Sequence, residues 1–102
     1  MVAKQGSHKE LEPPPLASSD PTAEEILRVW SSPTRAYQLT LRTHWDDPGA
    51  WGILLVDIAK HAAQAYARKG EDRCAALRRI VELFEAELSR PTDAPKDITG
   101  PG

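Results

Sequence analysis

From Tyr37 to Trp45 two kinds of residue alternate: Tyr37, Leu39, Leu41, Thr43 and Trp45 take one set of positions, and Gln38, Thr40, Arg42 and His44 the other. A period of two with aromatic and β-branched residues predicts a half-buried strand. A lone strand leaves its backbone groups unpaired, and the only nearby apolar segment is 26–31, so the pattern predicts a β-hairpin. Placing Ser31 opposite Tyr37, across a loop of residues 32–36, sets Val29 against Leu39 and Leu27 against Leu41, with the apolar residues on one face. The first of these segments also carries a helix-start signal. Asp20 precedes Pro21, Glu24 and Glu25 follow in what would be the first turn, and Ala23, Ile26, Leu27 and Trp30 would form a helical stripe. A turn of helix near 21–24 followed by a strand accommodates both signals.

After Asp47 the period changes. Asp47 offers a carboxylate to free amides and Pro48 sits where its missing N–H does no harm, so a helix begins here. Trp51, Leu55, Ile58, Ala62 and Tyr66 recur at helical spacing, while Asp57, Lys60, His61, Gln64 and Arg68 share the opposite side. A third strip of Gly52, Val56, Ala59 and Ala63 is small enough for another helix to approach closely. Gly70 ends this helix, in the left-handed conformation that glycine adopts cheaply. A second helix starts at Asp72 and carries Cys74, Leu77, Ile80, Val81, Phe84 and Leu88 on one stripe; Pro91 stops it.

The elements add up to an α+β domain of order ββαα: a hairpin followed by two antiparallel amphipathic helices packed on its apolar face. Residues 20–91 form this single domain. Residues 1–19 and 92–102 hold five of the nine prolines and lack apolar periodicity, so both are expected to be flexible tails. The run Pro13–Pro15 is read as linker, being too short and too poorly flanked for a polyproline ligand. An ordered core of about 70 residues barely exceeds its conformational entropy, and association often supplies the difference. A homodimer is therefore the expected state.

Composition narrows the function classes. The chain has 102 residues, 40% apolar and 27% charged, with a formal charge of −2, which makes one globular domain with no basic field for nucleic acid. One cysteine allows no internal disulfide, and the N-terminus has no basic-then-apolar run of a secretory signal, so a reducing cytoplasm is expected. The longest largely apolar run, 50–59, is interrupted by Asp57 and is about half the ~20 residues a membrane-spanning helix needs.

Candidate chemistry is sparse. His44, Asp57 and His61 form the one set with any metal-ligand or small-molecule-binding character, Asp57 and His61 lying four apart on a helix face. The same spacing suits a surface pair, and a third or fourth ligand is missing from the pattern. Cys74 falls on an apolar stripe and reads as a small buried hydrophobe. The six glycines are scattered, which leaves no phosphate-binding loop. No catalytic residue, metal or cofactor is assigned, and an enzyme is the weaker expectation. Trp45 and Trp51 are expected to pin the entry to the first helix. The least ordinary feature is the outer hairpin face with Ile26, Arg28, Trp30 and Arg42, a composition enriched at interfaces, together with Ile53, which projects from the polar side of the first helix. Such a face would take a second copy first, then a different protein, then single-stranded nucleic acid.

The run Ile26-Leu27-Arg28-Val29-Trp30, the longer run from Trp45-Asp46-Asp47-Pro48-Gly49-Ala50-Trp51 to Asp57, and the pairs His61-Ala62 and Tyr66-Ala67 resemble a family of small bacterial proteins known only as a domain of unknown function. The resemblance covers about residues 25–93 and implies a bacterial cytoplasmic setting and the domain limits, with no activity, cofactor or catalytic residue. The sequence therefore points to a small accessory or interaction module that self-associates.

Overall fold

The computed structural model describes residues 9–90. Its elements are a one-turn helix α1 (Leu16–Ser19), strands β1 (Leu27–Ser32) and β2 (Arg35–Leu41), and helices α2 (Gly49–Arg68) and α3 (Arg73–Ser89). A two-stranded antiparallel hairpin followed by two helices is the α+β order the residue pattern predicts. The residues divide into two compact units between Arg42 and Thr43, and each is described by itself.

In the first unit, β1 and β2 pair with Leu27 opposite Leu41, Val29 opposite Leu39 and Trp30 opposite Gln38, the predicted register. Near the turn the prediction fails. Ser32 faces Arg35 across a two-residue loop, so Ala36 and Tyr37 together oppose Ser31 and the ladder bulges. Pro33 explains this: tight hairpin loops favour positive φ at the first central position, which proline's ring forbids, and a bulge takes up the mismatch in twist. The Ser32 hydroxyl accepts a bond from the Arg35 amide at 3.2 Å and closes the turn.

The other end of the hairpin is also shorter than the alternation suggests. The Arg42 amide donates to the Ile26 carbonyl at 2.9 Å, and β2 ends at Leu41, leaving Thr43 and Trp45 beyond the ladder. The upstream chain supplies no further partner because it turns at Pro21 and Thr22. There the Asp20 carboxylate accepts from the Thr22 amide at 2.9 Å and from its hydroxyl at 2.7 Å, a side-chain-closed turn in place of the expected helical turn. Among the described residues of this unit the one short helix lies upstream, at α1.

In the second unit, the Asp47 carboxylate accepts from the Gly49 amide at 2.8 Å at the start of α2. Gly70, at φ 98°, makes the left-handed turn that ends it. The Asp72 carboxylate then caps α3. The small-residue strip meets α3 in its second half only: Ala63 is fully buried and Ala59 half-buried, whereas Gly52 and Val56 are exposed. On α3 the half-buried residues are Ala76, Leu77 and Ile80, and everything from Val81 onward is exposed. The helix pair is thus closed next to the Gly70 turn and open away from it.

Candidate functional site

On the outer hairpin face the two arginines are already engaged. Arg28 donates through Nε and Nη2 to the two carboxylate oxygens of Glu25, at 3.2 and 3.0 Å, and through Nη1 to Glu10 at 3.0 Å. The hydrogen bonds and charge of Glu25, followed by the charge of Glu10, push the Arg28 pKa above its ordinary value. Arg42 donates through Nε to the Glu25 carbonyl at 3.1 Å and lies 3.7 Å from the Glu24 carboxylate. Trp30, opposite Gln38, is 37% exposed, and Ile26 is half-buried just before β1. Glu10 falls in the segment expected to be a tail, and only the fold shows that it reaches Arg28, eighteen residues away.

The residues with metal-ligand character take part in local contacts. His61 donates from Nδ1 to the Asp57 backbone carbonyl at 2.8 Å, so the four-residue spacing joins a ring to the helix backbone rather than to a carboxylate. The His44 ring lies edge-on to Trp45, with centroids 5.2 Å apart. Among the described residues no group of three or more His, Cys, Asp or Glu is placed to hold a metal ion. Trp45 in turn meets Trp51 edge-to-face at 5.6 Å and 79°, which ties the approach segment to the first turn of α2 as the sequence suggested.

The helix pair carries the larger uncovered apolar surface. Ile53 and Leu88 are each 71% exposed, and Val56, Phe84, Leu83 and Val81 are open as well. Ala63 is the one buried hydrophobic residue among the described residues. Cys74, expected to be buried, is exposed, because the α3 stripe turns only its Leu77–Ile80 side toward α2. Along the open side, Arg73, Cys74, Leu77, Arg78, Val81 and Glu85 line a shallow groove. A warning was present in the sequence: Ile80 and Val81 are adjacent and so about 100° apart on the helix, too wide for one neighbour to cover. No described helix is long and apolar enough to cross a membrane.

Comparison with known proteins adds a family and a structural relative. The profile of a family described as a domain of unknown function, DUF5076, matches residues 10–92, a span that starts upstream of the motifs noted above and includes Glu10. No curated protein matches the chain. A solved structure named as that of "a putative pyruvate dehydrogenase from the photosynthetic bacterium Rhodopseudomonas palustrus CGA009" is 42% identical, with a TM-score of 0.70. The match covers 90% of this chain and 94% of that one.

Proposed function

The chain belongs to the DUF5076 family, a domain of unknown function, and within that family we propose that it is a self-associating interaction module whose working form is a homodimer closed over the exposed apolar side of the helix pair. The observation that carries this reading is the contrast between Ala63, the one buried hydrophobic among the described residues, and the row of exposed large apolar side chains on α2 and α3. Two helices cannot bury both their faces against each other, and domains this small draw on association for stability. Covering Ile53, Val56, Val81, Phe84 and Leu88 would contribute roughly 1–2 kcal/mol each at about 25 cal/mol per Å². In a two-fold dimer every contribution counts twice, which is enough to offset an association cost of about 4–15 kcal/mol.

The helix pair is preferred to the hairpin face for this contact. Arg28 and Arg42 already have acidic partners within their own unit, so a partner would have to compete with Glu10, Glu24 and Glu25 for them. The hairpin face, with Ile26 and Trp30, is left as a surface for a different protein. The dehydrogenase name of the Rhodopseudomonas palustrus structure belongs to that protein. In this chain the His61 ring bonds a backbone carbonyl and the His44 ring stacks perpendicular to Trp45, local contacts that support a structural role for both.

Sedimentation equilibrium of the full chain tests the proposal. The expected mass is twice 11.2 kDa at ~10 μM, within the range of ordinary homodimer affinities. Leu88→Asp is expected to give a folded monomer, since Leu88 is too exposed to stabilise its own chain. A wild type that stays monomeric at ~100 μM would overturn the reading.

A further inference from the structure

We infer that the second copy docks on α3 antiparallel to it, about a two-fold axis near Val81, through the seam Cys74–Leu77–Val81–Phe84–Leu88. This inference rests on the homodimer reading above and adds its geometry. The five seam residues are spaced 3, 4, 3 and 4 apart, the heptad repeat of helices that pack along their length. Leu77 is half-buried and the other four are exposed, so the seam flanks the side of α3 that faces α2. A helix contacted on two flanks about 90° apart is the arrangement of a four-helix bundle, here made from two helix pairs. At 1.5 Å per residue α3 is about 25 Å long. A face two helices wide is of the order of the ~800 Å² that each partner of a stable dimer covers.

Charge fixes the direction. Counting Cys74 as position a, the residues flanking the seam are Arg73, Ile80 and Glu87 at g, and Arg78 and Glu85 at e. In an antiparallel pair e faces e and g faces g across the seam. Arg78 then meets Glu85 of the second copy, and Arg73 meets Glu87, each pair occurring twice by symmetry. In a parallel pair g faces the e of the next heptad, and Arg73 would meet Arg78, a like-charge clash. All four charged residues are exposed, and none has an ion-pair partner among the described residues.

The order of these charges also runs against the helix that carries them. The first turn of α3 has no acid and its last turn no base; the bases lie toward the N-terminal end and the acids toward the C-terminal end, opposite to what the helix dipole favours. Within one chain that order is a handicap. Across a two-fold axis it becomes self-complementary, because the basic half of one α3 lies on the acidic half of the other.

The test compares the dimer dissociation constants of the full-length wild type, Arg78→Glu, Glu85→Arg and the double variant, with helicity checked by circular dichroism. In the antiparallel seam each single variant places like charges opposite one another twice, and dissociation should rise about tenfold. The double variant restores both pairs and returns to the wild-type value. The signs differ for a parallel seam, where Arg78→Glu would meet Arg73 and tighten the dimer. A dimeric wild type whose affinity is unchanged or raised by Arg78→Glu, or a double variant no tighter than the singles, overturns the seam while leaving self-association standing. A monomeric wild type overturns both.

Discussion

The carboxylate of Asp72 accepts a hydrogen bond from the backbone amide of Cys74 at 3.0 Å, and this cap lies two residues after the left-handed Gly70. It satisfies one of the orphan donors at the start of α3 and places a negative charge where the helix dipole favours it. Asp72→Ala should therefore destabilise the fold by about 1 kcal/mol. Asp72→Asn should recover most of that loss, because the amide oxygen can accept the same bond. Urea unfolding at fixed protein concentration measures both.

Gly70 has φ of 98°, and a methyl group built on it would meet nothing within 4 Å. The cost of Gly70→Ala is then backbone strain alone, about 1 kcal/mol. Gly70→Asn should cost less, since asparagine tolerates the left-handed region better than alanine. A larger loss for alanine than for asparagine in thermal unfolding is the expected order.

Ala63 is fully buried between the helices. Ala63→Leu inserts three carbons where two backbones approach, and overpacking of this kind costs about 1–3 kcal/mol. Substituting leucine at Gly52, where an added carbon meets open space, should leave α2 against α3 unchanged. Amide hydrogen exchange should report the difference as faster exchange through residues 59–67 and 76–80 in the first variant only.

The Thr22 hydroxyl, and secondarily its amide, hold the Asp20 carboxyl below the ordinary aspartate value of 3.8. A carboxyl depressed in the folded state stabilises that state above the unfolded value and loses the contribution as pH falls through the folded one. The Asp20 side-chain bonds to Thr22 should accordingly persist at neutral pH and weaken only below the ordinary aspartate value, while the Ala23 amide, bonded to the Asp20 carbonyl at 3.0 Å, keeps the backbone turn closed. The carboxyl carbon of Asp20, followed by NMR, should titrate below its unfolded value, and Thr22→Val should move the midpoint back up.

How much of this was readable in advance depended on whether a residue's neighbours lay close along the chain. The pairs Leu27–Leu41 and Val29–Leu39 follow from a period of two, because one slip would turn every side chain to the other face. Asp47, Gly70 and Asp72 act on amides or torsions within two or three residues, and each does what its local chemistry suggests. Pro33 misled because the loop length reflects a compromise between ring geometry and strand twist, visible only once both strands are present. Asp20 misled because a carboxylate before proline serves an isolated turn as well as a helix start. Glu10 could not be read at all, since its partner Arg28 is distant in sequence and nothing periodic links them.

The candidate site was legible in composition but not in place. Ile53 and Trp30 stood out early. The α3 stripe looked like buried core, because periodicity marks which residues are apolar and says nothing about how many neighbours are there to cover them. Leu88, at 71% exposure, and the exposed Cys74 are the residues where that distinction matters.

The alanine at position 63 has one further consequence, for how the gene can drift. Single-base changes of an alanine codon reach glycine, serine, threonine, valine, proline and, depending on its third base, aspartate or glutamate. Proline would break α2 and the two acids would bury a charge. Threonine and valine would push a branched side chain against the opposing helix. Glycine and serine alone keep the spacing, so a family that preserves this crossing should show almost no variety at that codon while the apolar positions around it change freely among themselves.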